Sequence, residues 1–213
     1  MLQEGFAVPT IKNACELGFG QGVSLNAHAA AGTARWYGTD FNPAHAAFAR
    51  DVAQQCGSQV LIADDDFATF CNRDDLPEFE FIGLHGIWSW ISDENRRVIV
   101  DFIRRKLAVG GILYISYNTL PGWSAHAPIR HLLAMHDNRM ASAANSRVQN
   151  VKNALDFGSR VLEHSHGLKQ NAPNIAERLS EISKHDPSYL AHEYLNRDWH
   201  PMYYADLEQW LEP

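Results

Sequence analysis

The run Glu16-Leu17-Gly18-Phe19-Gly20-Gln21-Gly22 constrains the fold most. It follows Ile11-Lys12-Asn13-Ala14-Cys15, short enough for a buried strand, and precedes the Ala-rich stretch Val23–Ala31, which has good helix propensity. Glycines placed between a strand and a helix form a loop that turns tightly and lets a ligand approach the main chain. The following helix N-terminus offers free N–H groups and a partial positive charge. The chain should therefore fold around a strand, loop and helix built for a small molecule.

The loop departs from the dinucleotide pattern G-x-G-x-x-G, whose third glycine would fall at Val23. It reads instead acidic-x-G-x-G-x-G, with Glu16 two residues ahead of Gly18. A carboxylate at that turn repels a pyrophosphate and suits a ligand with a cationic amino group. S-adenosylmethionine carries an ammonium, a sulfonium and a ribose, and no phosphate. The pattern resembles motif I of class I methyltransferases. Arg35–Asp40 reads as a second strand, and Asp40 comes eighteen residues after Gly22. An acid at about this distance bonds ribose hydroxyls in related folds. The expected cofactor contacts are Glu16, Gly18, Phe19, Gly20, Gly22, Asp40, Phe41 and Asn42, with Phe41 placed to pack on adenine.

Pro43 opens a second helix that stops at Gly57, and Gln59–Ala63 is a compact third strand. Of the acids Asp64, Asp65 and Asp66 that follow it, Asp66 is read as accepting the adenine amino group, with Phe67 stacked on the ring; a helix N-cap is the competing role. Glu78–Leu84 is the fourth strand, and His85-Gly86-Ile87-Trp88-Ser89-Trp90 lies at its carboxyl end, where open α/β sheets bind ligands. His85 is expected at the site, facing cofactor or acceptor, and Trp88 as a pocket wall. A helix capped by Ser92 runs to Gly110-Gly111, with Val98, Ile99, Phe102, Ile103 and Leu107 facing the sheet. Ile112–Tyr117 is the fifth strand.

Tyr117-Asn118-Thr119-Leu120-Pro121-Gly122-Trp123 together with His85–Trp90 resembles one bacterial group of class I methyltransferases. In that group the catalytic domain is joined to a methyltransferase regulatory domain, and it includes rickettsial enzymes that methylate lysines of outer-membrane protein. The resemblance covers residues 12–137 and returns at His192–Leu195 and Pro201–Tyr204. It implies an α/β, Rossmann-like core with a parallel sheet ordered 3-2-1-4-5. It also implies S-adenosylmethionine as cofactor and a protein substrate, with lysine as a weaker implication. His85, Trp88, Tyr117 and Asn118 are the residues expected to orient or enclose the acceptor.

Beyond Trp123 the chain reads as helical, with helices expected at 128–136, 151–162, 175–182 and 203–211, the last resembling the helix that follows strand 5 in the class. Two divisions follow: a cofactor-binding core over 1–123 and a helical region over 124–213. The final antiparallel strands are expected to be missing, and members of the group are longer, so a portion of a longer protein is expected. The formal net charge of −7 argues against a dedicated nucleic-acid binder. No apolar run is long enough to span a bilayer, and residues 1–10 lack a charged segment followed by an apolar core, so no signal peptide is expected. Cys15, Cys56 and Cys71 form no paired motif, which suggests a reducing, cytoplasmic setting. His126, His131 and His136 are spaced by five, off a common helix face, so no metal is expected. A cofactor-binding or non-catalytic interaction module on the same fold is the alternative function; a nicotinamide oxidoreductase is disfavoured by Glu16 and the absent third glycine.

Overall fold

The structure, a computed structural model, describes residues 2–171 and 174–212. Strand β1 (Asn13–Leu17) leads into helix α1 (Val23–Ala31), then β2 (Arg35–Thr39), α2 (Pro43–Cys56), β3 (Val60–Ala63), the short α3 (Phe67–Cys71) and β4 (Phe79–Leu84). Next come α4 (Asp93–Lys106) and β5 (Leu107–Ile115). Five more helices follow: α5 (Ala127–Met140), α6 (Arg147–His164), α7 (His166–Asn171), α8 (Ile175–Ile182) and α9 (Pro187–Leu195). Helix α10 (Tyr204–Leu211) closes the described chain. The strands form one parallel sheet in the order β3-β2-β1-β4-β5. No antiparallel strand joins it among the described residues.

The register explains how the two sheet faces divide. Glu16 pairs with Gly38 of β2 and Gly83 of β4, and alternation puts Ala14 and Glu16 on one face and Cys15 and Leu17 on the other. The first face is closed by a cluster of Ala14, Phe19, Leu25, Trp36, Ala46 and Ala49, whose small residues let α1 and α2 lie close. The second face packs Leu17, Ile82 and Leu84 against Ile99 and Phe102 of α4. Local chemistry sets the helix ends. Asn42 accepts from the Ala44 N–H with Pro43 in the first turn, Gly57 takes the left-handed closing position, and Ser92 caps α4.

Helix α4 ends sooner than its glycines suggest. It stops at Lys106, and Gly110-Gly111 lie inside β5, where the ladder with β4 jumps from Phe79↔Leu107 to Phe81↔Ile112. The extra residues bulge out, which Gly110 permits with φ +81°.

The chain divides into two compact units: Thr119–Trp199 forms one, and the remaining described residues form the other. The boundary thus falls at Asn118 rather than at Trp123. Residues 200–212 return to the first unit, although the sequence division kept them with the helical region. Met202 and Leu207 account for the return, because both are buried in the same core as Ile99 and Phe102. The helical unit has its own core, in which Ile129, Leu133, Val151, Leu162, Leu179, Leu190 and Tyr194 meet.

Candidate cofactor site

The loop after β1 is held against the end of β2 by its own amides. Gly18 N–H donates to the Thr39 carbonyl at 2.8 Å, and Gly22 N–H closes a turn onto the Phe19 carbonyl at 2.9 Å. Gly18, Gly20 and Gly22 have φ of +69°, +58° and +68°, the left-handed region that side chains resist. Each glycine also serves a separate end. A Cβ on Gly18 would lie 2.7 Å from Ile87 Cγ2, and one on Gly22 would lie 2.6 Å from Ala49 Cβ. At Gly20 there is open space, so its backbone is left clear for a ligand. Asn26, 2% exposed, donates through Nδ2 to the carbonyls of Gly22 and Ala49, both at 3.0 Å, and ties the loop to both helices.

Two carboxylates flank this loop. Asp40, just past β2, accepts from Gly20 N–H at 2.8 Å through Oδ2 and from Asn42 N–H at 3.0 Å through Oδ1, with His45 Nδ1 3.2 Å from Oδ1. A carboxylate has about four lone-pair positions. Three are used here, which leaves one on Oδ2. Glu16 is 6% exposed, and the Ser24 hydroxyl lies 2.7 and 2.9 Å from its two oxygens. Burial pushes its pKa up, against the Ser24 hydrogen bond and the fields of His85 and His28, which lower it. Among the described residues no lysine or arginine pairs with it, so a cationic ligand would find a buried carboxylate without a cation.

Beside Glu16 the sheet face opens into a cleft of about 400 Å³ lined by Ser24, His28, Trp36, His85 and Tyr114 among others. His85, exposed at the end of β4, sits with Nδ1 3.3 Å from the Tyr114 hydroxyl and its ring stacked on that tyrosine. Glu16, the three glycines, Asp40, Asn42 and His85 thus gather at the carboxyl ends of β1, β2 and β4.

Other expected residues lie elsewhere. Phe19 is buried among Leu25, Ala46 and Ala49, so only its backbone belongs to the loop. Trp88 is a correction: its indole is 0% exposed, its Nε1 rests 3.3 Å from Met202 Sδ, and its ring meets Trp210 edge-on. A side chain enclosed on that core cannot wall an acceptor pocket. Asp66 caps α3 by accepting from Thr69 N–H at 2.7 Å, which holds its carboxyl below the usual range, and it is exposed. The neighbouring acids are engaged as well, Asp64 with Arg50 and Asp65 with Arg73. Phe41 stands 76% exposed, and Phe67 packs partly against the core of the second sheet face. Tyr117 packs against that same core. Asn118 donates its N–H to Ser89 Oγ at 2.8 Å, while its Nδ2 is buried without a partner.

Sequence reasoning passed over Ser24, Asn26, His45 and Tyr114. Ser24 and Asn26 carry a weak signal, being polar residues in the first turns of a helix with an otherwise apolar inner face. Tyr114 carries none, because its partner His85 is remote in sequence, whereas His45 follows Asp40 by five positions and is near enough to be weighed.

A parallel sheet in this order, with a glycine loop after the first strand and an acid after the second, is a Rossmann-like fold. The same architecture appears in PKMT2 from Rickettsia typhi, solved in complex with AdoHcy, with a TM-score of 0.74 and 23% identity over 97% of this chain and 40% of that one. The Synechocystis protein sll1526 is 42% identical over 202 residues, 94% of this chain and 39% of that protein. RP028 of Rickettsia prowazekii is 35% identical over 118 residues, 55% of this chain and 46% of that protein. The chain therefore spans less than half the length of these relatives. Residues 186–213 match the family model described as a predicted methyltransferase regulatory domain. Among the described residues no helix is long and apolar enough to cross a membrane.

Proposed function

We propose that the chain is the cofactor-binding portion of an S-adenosylmethionine-dependent methyltransferase whose acceptor is a protein side chain, a lysine amine. The observation that carries this reading is Glu16, a buried carboxylate with no cation of its own beside a loop whose central glycine is left clear. The residues fit the cofactor. Glu16 opposes its ammonium, the open Gly20 backbone admits its main-chain end, and the spare lone pair of Asp40 takes a ribose hydroxyl. Gly20 N–H locks Asp40 in place in advance, which lowers the ordering cost of binding. When bound, the cofactor supplies an electrophilic methyl group on a sulfonium.

The chain's own residues do the rest by position and environment. A lysine amine has an unperturbed pKa of about 10.4 and must be neutral to attack. Desolvation against apolar surface moves it down, and Trp36, Phe81 and Tyr114 supply such surface beside Glu16. His85, steadied by Tyr114, is placed to orient the amine and hold its proton. Three free cysteines support a cytoplasmic setting.

Calorimetric titration with S-adenosylhomocysteine tests the reading. Micromolar binding by the chain, lost in Glu16→Ala and Asp40→Ala, is the expected result. No binding by the parent chain, or affinity unchanged from the parent in both variants, sinks the site assignment.

A further inference from the structure

The helical unit carries buried polar groups that the proposed reaction does not use. Arg130 on α5 is 8% exposed, and its guanidinium lies 4.7 Å from the Trp199 ring centroid. One of its terminal nitrogens donates to the Asn196 carbonyl, but Nε has no partner. Arg178 on α8 buries Nη1 without an acceptor, and the Trp199 indole N–H and His126 Nδ1 are likewise buried and unpartnered. These groups adjoin. Trp199 meets Trp123 edge-on at 5.8 Å, and Trp123 lies 4.9 Å from the His126 ring. Burial first, and then the Arg178 charge, lower the pKa of His126.

Buried donors in folded proteins are nearly always satisfied, and a cluster of exceptions calls for a missing acceptor. Guanidinium stays charged at any ordinary pH, so burying it without a counter-charge is costly. The chain has 25 Asp and Glu residues. Yet neither of the ion pairs Arg147–Asp137 and Lys184–Glu181 of this unit involves Arg130 or Arg178. The unmatched atoms of this cluster are all nitrogens, and three of the four can only donate, while His136 Nδ1 and Asp137 Oδ1 lie unmatched further along α5. Such a set suits an anion with several acceptor oxygens.

We propose that the helical unit binds an oxyanion, a phosphate or phosphate ester, between Arg130, Arg178, His126 and Trp199. Two guanidiniums match the two charges of a phosphate dianion, and a tetrahedral anion can accept from donors carried by separate elements. A carboxylate has the same oxygen chemistry with one charge, and is the competing ligand. Arg178 and Trp199 are half-buried, so the cluster borders solvent on that side.

The test titrates the full chain with inorganic phosphate and, separately, with acetate, replacing chloride at constant ionic strength. Tryptophan fluorescence and thermal unfolding are followed. Phosphate should saturate and raise the melting temperature. Arg178→Gln should bind it at least about tenfold more weakly, since charge-assisted hydrogen bonds are lost. Arg130→Met, which keeps the buried aliphatic length, should behave alike if Arg130→Gln does not fold. Absence of saturable phosphate binding, or affinity unchanged in both arginine variants, overturns the proposal. Saturation by acetate alone, lost in the same variants, overturns the phosphate assignment in favour of a carboxylate.

Discussion

Replacing Gly22 with alanine tests the loop geometry directly. Gly22 has φ +68°, where a side chain costs about 1–2 kcal/mol. The new methyl carbon would stand 2.6 Å from Ala49 Cβ, and that carbon is fixed to the α2 backbone and cannot swing aside. Overpacking of this kind adds about 1–3 kcal/mol. The total is on the order of 3 kcal/mol, or a fall in melting temperature on the order of 10 °C for a chain of this size. A double-mutant cycle separates the two causes. Ala49→Gly alone costs about 1 kcal/mol as a glycine within a helix, but it removes the opposing methyl. Gly22→Ala should therefore cost about 1–3 kcal/mol less in the Ala49→Gly background than alone. Urea unfolding followed by circular dichroism gives the four free energies. Additivity within about 0.5 kcal/mol, or a loss below about 1 kcal/mol in the single variant, refutes the argument that contact between the loop and α2 forces glycine at this position.

Glu16 and Trp88 give two further tests. Burial raises the Glu16 pKa, so the folded chain holds that proton more tightly than the unfolded one, and stability falls as pH rises above the unfolded value of about 4.3. Glu16→Gln should melt higher than the parent near pH 8 and show no such advantage near pH 4; parallel melting curves across that range count against an ionised, unpaired Glu16. Trp88→Ala empties a fully buried site and should cost about 3–5 kcal/mol in unfolding free energy. A variant that stays as stable as the parent while losing only turnover would return Trp88 to the acceptor pocket.

The sheet was legible because its cues are local. An apolar run, a glycine loop and an acid fix β1, the turn and β2 within thirty residues, and Pro43 and Gly57 bracket α2 by backbone constraints alone. Gly110-Gly111 misled for the same reason: a glycine pair stops a helix and shapes a bulge equally well, and only pairing with β4 decides. Trp88 and Asp66 show the limit at the site. An aromatic after a strand reads alike whether it faces a ligand or Met202, which lies over a hundred positions away. An acid before Phe67 reads alike whether it awaits adenine or caps α3. The Asp40 to Gly20 bond was also invisible, although both residues were singled out, because hydrogen bonding across a loop depends on where the turn carries the amide.

The late return of α10 to the first unit bears on how the protein is made. Synthesis runs from the N-terminus, so β1 to β5 leave the ribosome before Met202 and Leu207 exist. During that interval Trp88 lacks both Met202 and the Trp210 ring. At about 5–20 residues per second, Thr119–Trp199 occupies the ribosome for roughly 4–16 seconds. For those seconds the nascent sheet exposes an aromatic, apolar surface that the finished protein hides. The helical unit, with a core of its own, can fold in that same window, before Met202 and Leu207 pack into the first core.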